Sequence, residues 1–208
     1  MTAPDRTAVD RPARAARRER TTRETAISVT LDVDGPRGEV EVSTGLPFFD
    51  HMLDQIGRHG GFDLTVDARG DLEVDGHHTV EDVGILLGET FREALGDKAG
   101  VRRFASGLYP LDEALVEVAL DLSGRPYFVW DVPFGEVLPL GDPPFNPEMA
   151  EHFWQSFATS AGITLHVNLR AGRNTHHKIE AAFKGVSRCL RDAVRVEGGG
   201  VPSTKGTL

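Results

Sequence analysis

The sequence predicts an α+β protein that is internally duplicated, with helices on one face of a mixed sheet in each half. Three observations carry this expectation. The run His77-His78-Thr79-Val80-Glu81 returns 176 − 77 = 99 positions later as His176-His177-Lys178-Ile179-Glu180. Behind each run the apolar residues advance in steps of three and four: Val80, Val83, Leu87, Phe91 and Ala94 in one, and Ile179, Phe183, Val186, Leu190 and Val194 in the other. That is the spacing of an amphipathic helix. Upstream, Ser28 to Gly35 aligns with Glu117 to Gly124 at an offset of 117 − 28 = 89, and strands preceding helices twice over give the α+β class. Growth of the offset from 89 to 99 requires insertion in the second half, and the Pro-rich run from Pro133 to Pro147 has the composition for it.

Taken in order, the chain begins with a weakly hydrophobic segment, 1–20, carrying Arg11, Arg14, Arg17, Arg18 and Arg20, and is expected to start as a disordered arm. The first half, 21–97, is expected to hold strands at 26–33 and 38–43, joined as a hairpin through the Gly- and Pro-bearing stretch 34–38. A helix from Pro47 to about Gly60, a strand at 62–68 and a helix at 77–95 stopped by Gly96 follow. The second half, 98–197, repeats the order with strands at 115–122 and 126–132, a helix from about Pro147 to Ala161, a strand at 163–170 and the second His-His helix. The Gly-rich segment 198–208 reads as a flexible tail.

Composition bounds the function. At 208 residues, 39% hydrophobic and 26% charged, there is ample apolar material for a core. A formal net charge of −9 argues against general affinity for nucleic acid or anionic membranes, so an anionic substrate would need a local basic pocket. The single cysteine, Cys189, falls on the apolar side of the second His-His helix and has no internal partner for a disulfide, which suits a packing role and a reducing cytoplasm. No apolar run approaches the roughly 18 residues of a membrane span.

The histidines carry the chemistry. In a helix His77 and Glu81 share a face, whereas His78 is turned about 100° from its neighbour, so adjacent histidines serve two different metals more readily than one. Imidazole and carboxylate without thiolate suit Zn, Mn, Fe or Ni. His51, on a helix with Gln55 one turn away, and His152 lie 152 − 51 = 101 apart, so each repeat offers three histidines and one glutamate. Lys184 follows Glu180 by four and shares its face. Read alone, Arg103, Arg125 and Lys205 are solvated surface charges, and His59 and His166 are structural or peripheral because neither has a partner in the duplicated pattern.

The combination FFDHM, HHTVED, SGRP, EHFW, HHKIEA and PSTKG resembles the imidazoleglycerol-phosphate dehydratases over about Arg20 to Leu208. The resemblance implies a fold like the ribosomal protein S5 domain 2 class, two Mn2+ per active site, and a 24-subunit homo-oligomer with sites at subunit contacts. It implies metal ligands at His51, His77, His78, Glu81, His152, His176, His177 and Glu180. Substrate contacts are implied at Glu24, Gln55, Arg103, Arg125, Lys184, Ser203 and Lys205, with Glu24 and Glu180 as acid/base groups. The implied reaction removes water from imidazoleglycerol phosphate by way of a metal-stabilised imidazolate and a diazafulvene, giving imidazole-acetol phosphate. Two other classes stand beside it: a dinuclear metallohydrolase, with metals about 3.5–4 Å apart, and a metal-stapled structural oligomer with closed coordination shells.

Overall fold

The computed structural model describes residues 13–35, 38–135 and 138–206. Its first half contains β1 (Ala15–Thr21), β2 (Thr25–Asp32), β3 (Val40–Ser43), α1 (Pro47–Gly60), β4 (Asp63–Gly70) and α2 (His77–Leu95). The second contains β5 (Phe104–Leu111), β6 (Ala114–Asp121), β7 (Tyr127–Asp131), α3 (Met149–Ala161), β8 (Thr164–Ala171) and α4 (Thr175–Ala193). Each half forms one four-stranded mixed sheet, in the orders β1-β2-β4-β3 and β5-β6-β8-β7. The duplication therefore reaches the level of topology: 114 − 25 = 89 for β2 and β6, and 104 − 15 = 89 for β1 and β5.

Alternation in the central strands sets the layers. Ile27, Val29 and Leu31 of β2 and Val116, Val118 and Leu120 of β6 are buried, with more exposed residues between them, as a sheet covered on one face requires. The helices cover those faces: α2 lies on β1, β2 and β4, and α4 on β5, β6 and β8. Between the sheets, α1 packs against α4 and α3 against α2, so each half is closed by a helix of the other. One apolar core results, with Phe49, Phe153, Trp154, Phe157 and Phe183 at its centre.

Two expectations fail. Residues 15–21 of the Arg-rich segment are ordered as β1, paired antiparallel with β2 from Ala15↔Asp32 to Thr21↔Ala26; the first twelve residues of that segment lie outside the described residues. The arginines are held by carboxylates: Arg14 by Asp34, Arg18 by Glu89 and Glu93 of α2, and Arg20 by Asp82. The hairpin of β2 with β3 does not form either, because β1 occupies one edge of β2 and β4 the other. β3 instead runs parallel to β4, Val40↔Leu64 to Ser43↔Asp67, and part of the turn expected there, 36–37, lies outside the described residues.

The insertion falls where the offsets place it. Val40 pairs with Leu64 and its counterpart Phe128 with Leu165, an offset of 128 − 40 = 88, whereas His51 and His152 are 101 apart. Thirteen residues (101 − 88) therefore enter between β7 and α3, across the Pro-rich connection. It is anchored by Phe145, fully buried with its ring 5.2 Å from Phe48 and 5.9 Å from Phe49.

The α2–α3 contact is close because glycines permit it. A Cβ on Gly88 would lie 2.5 Å from the Phe157 carbonyl oxygen, and one on Gly84 2.8 Å from that of Phe153. Backbone oxygens cannot rotate aside, so Gly88→Ala must push the helices apart. Overpacking of this kind costs about 1–3 kcal/mol; a lowered thermal unfolding midpoint, read with circular dichroism, is the expected result.

Candidate active site

The crossed helix packing gathers the histidines into two clusters. In one, His51 of α1 meets His176 and Glu180 of α4: His176 Nε2 is 2.8 Å and His51 Nε2 3.4 Å from Glu180 Oε2, and three donor atoms lie within 4.8 Å of one another. Phe48 sets its ring edge-on to His176 at 5.1 Å. In the other, His152 of α3 meets His77 of α2 with ring centroids 4.8 Å apart, and Glu81 lies 3.8 Å from His77 Nε2. Each cluster thus takes one histidine from one half and a His/Glu pair from the other.

The second histidine of each motif is aimed elsewhere. The rings of His77 and His78 are 6.3 Å apart at 88°, and those of His176 and His177 are 6.1 Å apart at 78°. His78 Nδ1 is held by Asp71, at 3.0 and 3.2 Å, and His177 Nδ1 by Glu113 at 2.7 Å. Both imidazoles are thereby raised above their ordinary pKa of 6.5, His78 chiefly by the Asp71 hydrogen bond and His177 chiefly by that of Glu113. Glu113 is correspondingly held down to about 2 by His177 and by the backbone N–H groups of Asn174 and Arg173. Asp71 and Glu113 escape sequence reasoning because they sit in connections where no periodicity singles out a residue.

The remaining site residues separate into three places. Gln55 is buried and donates through Nε2 to the His51 carbonyl at 3.0 Å, and Lys184 Nζ lies 2.5 Å from Glu180 Oε1, so both belong with the first cluster. Glu24 lies at the β1–β2 turn, 3.9 Å from His78 Nδ1. Arg103, Arg125, Ser203 and Lys205 line one cavity of about 510 Å³ together with Pro202 and Thr204. The bare sequence reading of these cations as scattered surface charges is corrected: Asp121 grips Arg103 through Nε at 2.6 Å and Nη2 at 3.0 Å, leaving Nη1 to hold the Pro202 carbonyl at 2.7 Å. The tail joins the pocket through this bond and through its root, where Gly100 donates to the Gly200 carbonyl.

Both clusters lie at the N-terminal ends of α2 and α4, whereas the Arg103 N–H bonds the Ala193 carbonyl at the far end of α4. From Glu180 to Ala193 is thirteen residues, or about 20 Å of helix. Lys184, one turn from Glu180, therefore does not share the Arg103 pocket within a single chain.

A duplicated α+β fold presenting paired His/Glu clusters and a separate cationic pocket defines a metal-dependent enzyme acting on a small molecule. The chain belongs to the imidazoleglycerol-phosphate dehydratase family, whose model matches residues 44–190. It is 57% identical over 196 residues to the imidazoleglycerol-phosphate dehydratase of Acidothermus cellulolyticus, covering 94% of this chain and 93% of that protein. Among solved structures, the dehydratase of Staphylococcus aureus superposes with a TM-score of 0.78 at 33% identity, over 88% of this chain and 99% of that one. The Pyrococcus furiosus enzyme, crystallised with (S)-C348, gives 0.73 at 35% identity over 92% and 100%. The chain is accordingly a hydro-lyase of histidine biosynthesis. No helix among the described residues is long and apolar enough to cross a membrane.

Glu180 shows how the cluster is poised. Burial opposes its ionisation, but hydrogen bonds from Lys184 and His176 outweigh burial and hold the carboxyl down to about 2. A carboxyl depressed on folding stabilises the chain above its ordinary value of 4.5 and loses that contribution as pH falls toward about 2. Lys184→Met in the metal-free protein should therefore lower stability most above pH 4.5, with the gap to the parent narrowing on acidification. Urea unfolding at a series of pH values reads this; a gap independent of pH would contradict it.

Proposed function

We propose that the eight ligand positions implied by the resemblance act as two sets completed between subunits, and that the bound divalent cations are manganese, two per active site. The observation that carries this reading is the outward aim of His78 and His177. Each has Nδ1 taken by a carboxylate, which fixes the tautomer that leaves Nε2 to coordinate, as outer carboxylates do for metal-bound histidine. Within one chain neither reaches the cluster beside it, so a neighbouring subunit is the natural partner. The donor set of imidazole and carboxylate oxygen fits such cations. A 24-subunit assembly in the cytoplasm, as the resemblance implies, would supply those neighbours.

The substrate's phosphate fits the pocket of Arg103, Arg125, Ser203 and Lys205, where planar guanidinium groups and an ammonium can pair with its oxygens. Asp121 fixes the plane of Arg103 before the phosphate arrives. When bound, the cations would supply positive charge at the imidazole ring nitrogens, favouring an imidazolate whose electrons can expel the neighbouring hydroxyl and leave a diazafulvene, the hydroxide departing as water with the proton the ring gave up. Glu24 then takes the proton from the adjacent carbon, and tautomerisation of the enol gives imidazole-acetol phosphate. Glu180, held ionised by Lys184 and His176, serves as ligand and charge rather than as a proton carrier at neutral pH. Lys184 and Gln55 fix the first cluster against the substrate's polar groups.

His78→Ala is the direct test. It should lose turnover and bound metal and shift the sedimentation of the assembly toward smaller species, while His166→Ala, on the outer side of β8, should leave all three unchanged. Full activity in His78→Ala particles of parental size would sink the proposal.

The tail offers a second test. Removing residues 202–208 takes away the Lys205 charge and the Ser203 hydroxyl without touching the core or either cluster. A charge-assisted hydrogen bond is worth about 1.5–3 kcal/mol, so kcat/KM should fall about ten- to a hundred-fold with metal content unchanged. Turnover at the parental rate would make the tail an ordinary terminus.

A further inference from the structure

The two halves of the molecule use the same carboxylate differently. Glu24 and Glu113 are counterparts, at 113 − 24 = 89, the offset that relates β2 to β6. In the second half Glu113 is fully engaged: Oε2 meets His177 Nδ1 at 2.7 Å, and Oε1 accepts from the N–H of Arg173 at 3.1 Å and of Asn174 at 2.7 Å. In the first half Glu24 is at the equivalent place, yet its Oε2 is 3.9 Å from His78 Nδ1, beyond hydrogen-bonding distance, and its side chain is 53% exposed. Asp71 has taken the imidazole instead.

We propose that Asp71 is a positioning residue: by occupying His78 Nδ1 it keeps Glu24 off that histidine and leaves the carboxylate to the substrate, an arrangement the second half cannot make.

The reason lies in the residue after the inner strand. β8 carries a bulge where Leu115 pairs with Ala171 as Ala26 pairs with Arg69, so beyond it the offset is 171 − 69 = 102 and Asp71 corresponds to position 173, which is arginine. Gly172 answers instead to Gly70, a Cβ on either meeting the matched neighbours Thr25 and Thr79 or Ala114 and Lys178, and Arg173 gives Glu113 its N–H but has no carboxylate to offer His177. The connection from this position to the His-His helix is also shorter, 176 − 173 = 3 steps against 77 − 71 = 6. His177 must therefore be held by Glu113, whereas His78 has its own holder. The backbone keeps the two first-half carboxylates side by side: Asp71 N–H donates to the Glu24 carbonyl at 3.1 Å, and Thr22 Oγ1 accepts from the N–H groups of Glu24 and Thr25. Glu24 therefore needs only a side-chain rotation to reach His78 once Asp71 is gone.

The inference rests on the reading of His78 as a ligand and Glu24 as the proton acceptor, and the experiment separates its failure from theirs. Asp71→Ala and Asp71→Asn are compared at saturating Mn2+, with bound metal measured in each. Asparagine keeps an oxygen for the His78 N–H and alanine does not. A positioned general base contributes about 10²- to 10⁴-fold, so capture of Glu24 by His78 should lower kcat of Asp71→Ala by about tenfold or more with KM nearly unchanged, while Asp71→Asn stays near the parent. A crystal structure of Asp71→Ala should show Glu24 bonded to His78 Nδ1. In a Glu24→Gln background Asp71→Ala should add no further loss. If Asp71→Ala fails to assemble, Asp71→Ser, whose hydroxyl is too short to hold the ring, replaces it. Full kcat in the metal-loaded alanine variant, additive losses with Glu24→Gln, or an unmoved Glu24 would each overturn the proposal. Turnover surviving in His78→Ala would instead remove the ligand reading beneath it.

Discussion

Everything that can act in this molecule depends on the exchange of helices between its halves. An isolated half would expose the apolar face of α1 or α3, because α1 packs on α4 and α3 on α2 rather than on the main body of its own sheet. The exchange buries Phe49, Phe153, Trp154, Phe157 and Phe183 in a single cluster, and aromatic burial on this scale dominates core energetics. It also decides the chemistry. His51 reaches Glu180, and His152 reaches His77, only because the helix that carries each is clasped by the other half. Gly84 and Gly88 set how close that clasp is on the α2–α3 side.

Much of this was legible in the sequence because duplication turns weak signals into paired ones. One His-His-x-x-Glu is ambiguous; two, each followed by the same apolar rhythm, fix two helices whose bounds the structure places at His77–Leu95 and Thr175–Ala193. The edge strands β1 and β5 were not legible. β1 is mostly exposed and rich in the charges that edges favour, such as Arg17, Arg18 and Glu19, while β5 alternates only between exposed and half-buried places and sets Phe104 and Leu108 on its exposed side, so its sequence shows no apolar/polar alternation. Missing β1 left one edge of β2 open to β3, which is how the false hairpin arose. The carboxylates Asp71, Glu113 and Asp121 were invisible for a related reason: their partners stand at no regular spacing, 7, 64 and 18 residues away for His78, His177 and Arg103, and nothing local distinguishes them from solvated charges.

The separation along α4 constrains how a substrate can be held. The histidine clusters are at one end of the helix and the Arg103 pocket at the other, about 20 Å apart. A three-carbon chain between imidazole and phosphate cannot bridge that span. One chain therefore sets its histidine clusters and its cationic pocket too far apart for one such molecule to touch both. Subunit association resolves this if the tail pocket of one chain meets the clusters of others. On the proposed reading association is a geometrical need, since neither end alone would hold both ring and phosphate.

Divergence after duplication explains the rest of the asymmetry. Had both halves kept a glutamate bonded to the second histidine, the fold would hold its ligands well and have no carboxylate left beside them. Arginine at 173 in one half, against Asp71 in the other, divides the tasks: one glutamate orients a histidine and its twin stands clear. Proton transfer needs a group within reach of the substrate and not already committed to a strong partner. Of the two equivalent glutamates, only Glu24 is left unbonded to its histidine, because Asp71 has taken its place at His78.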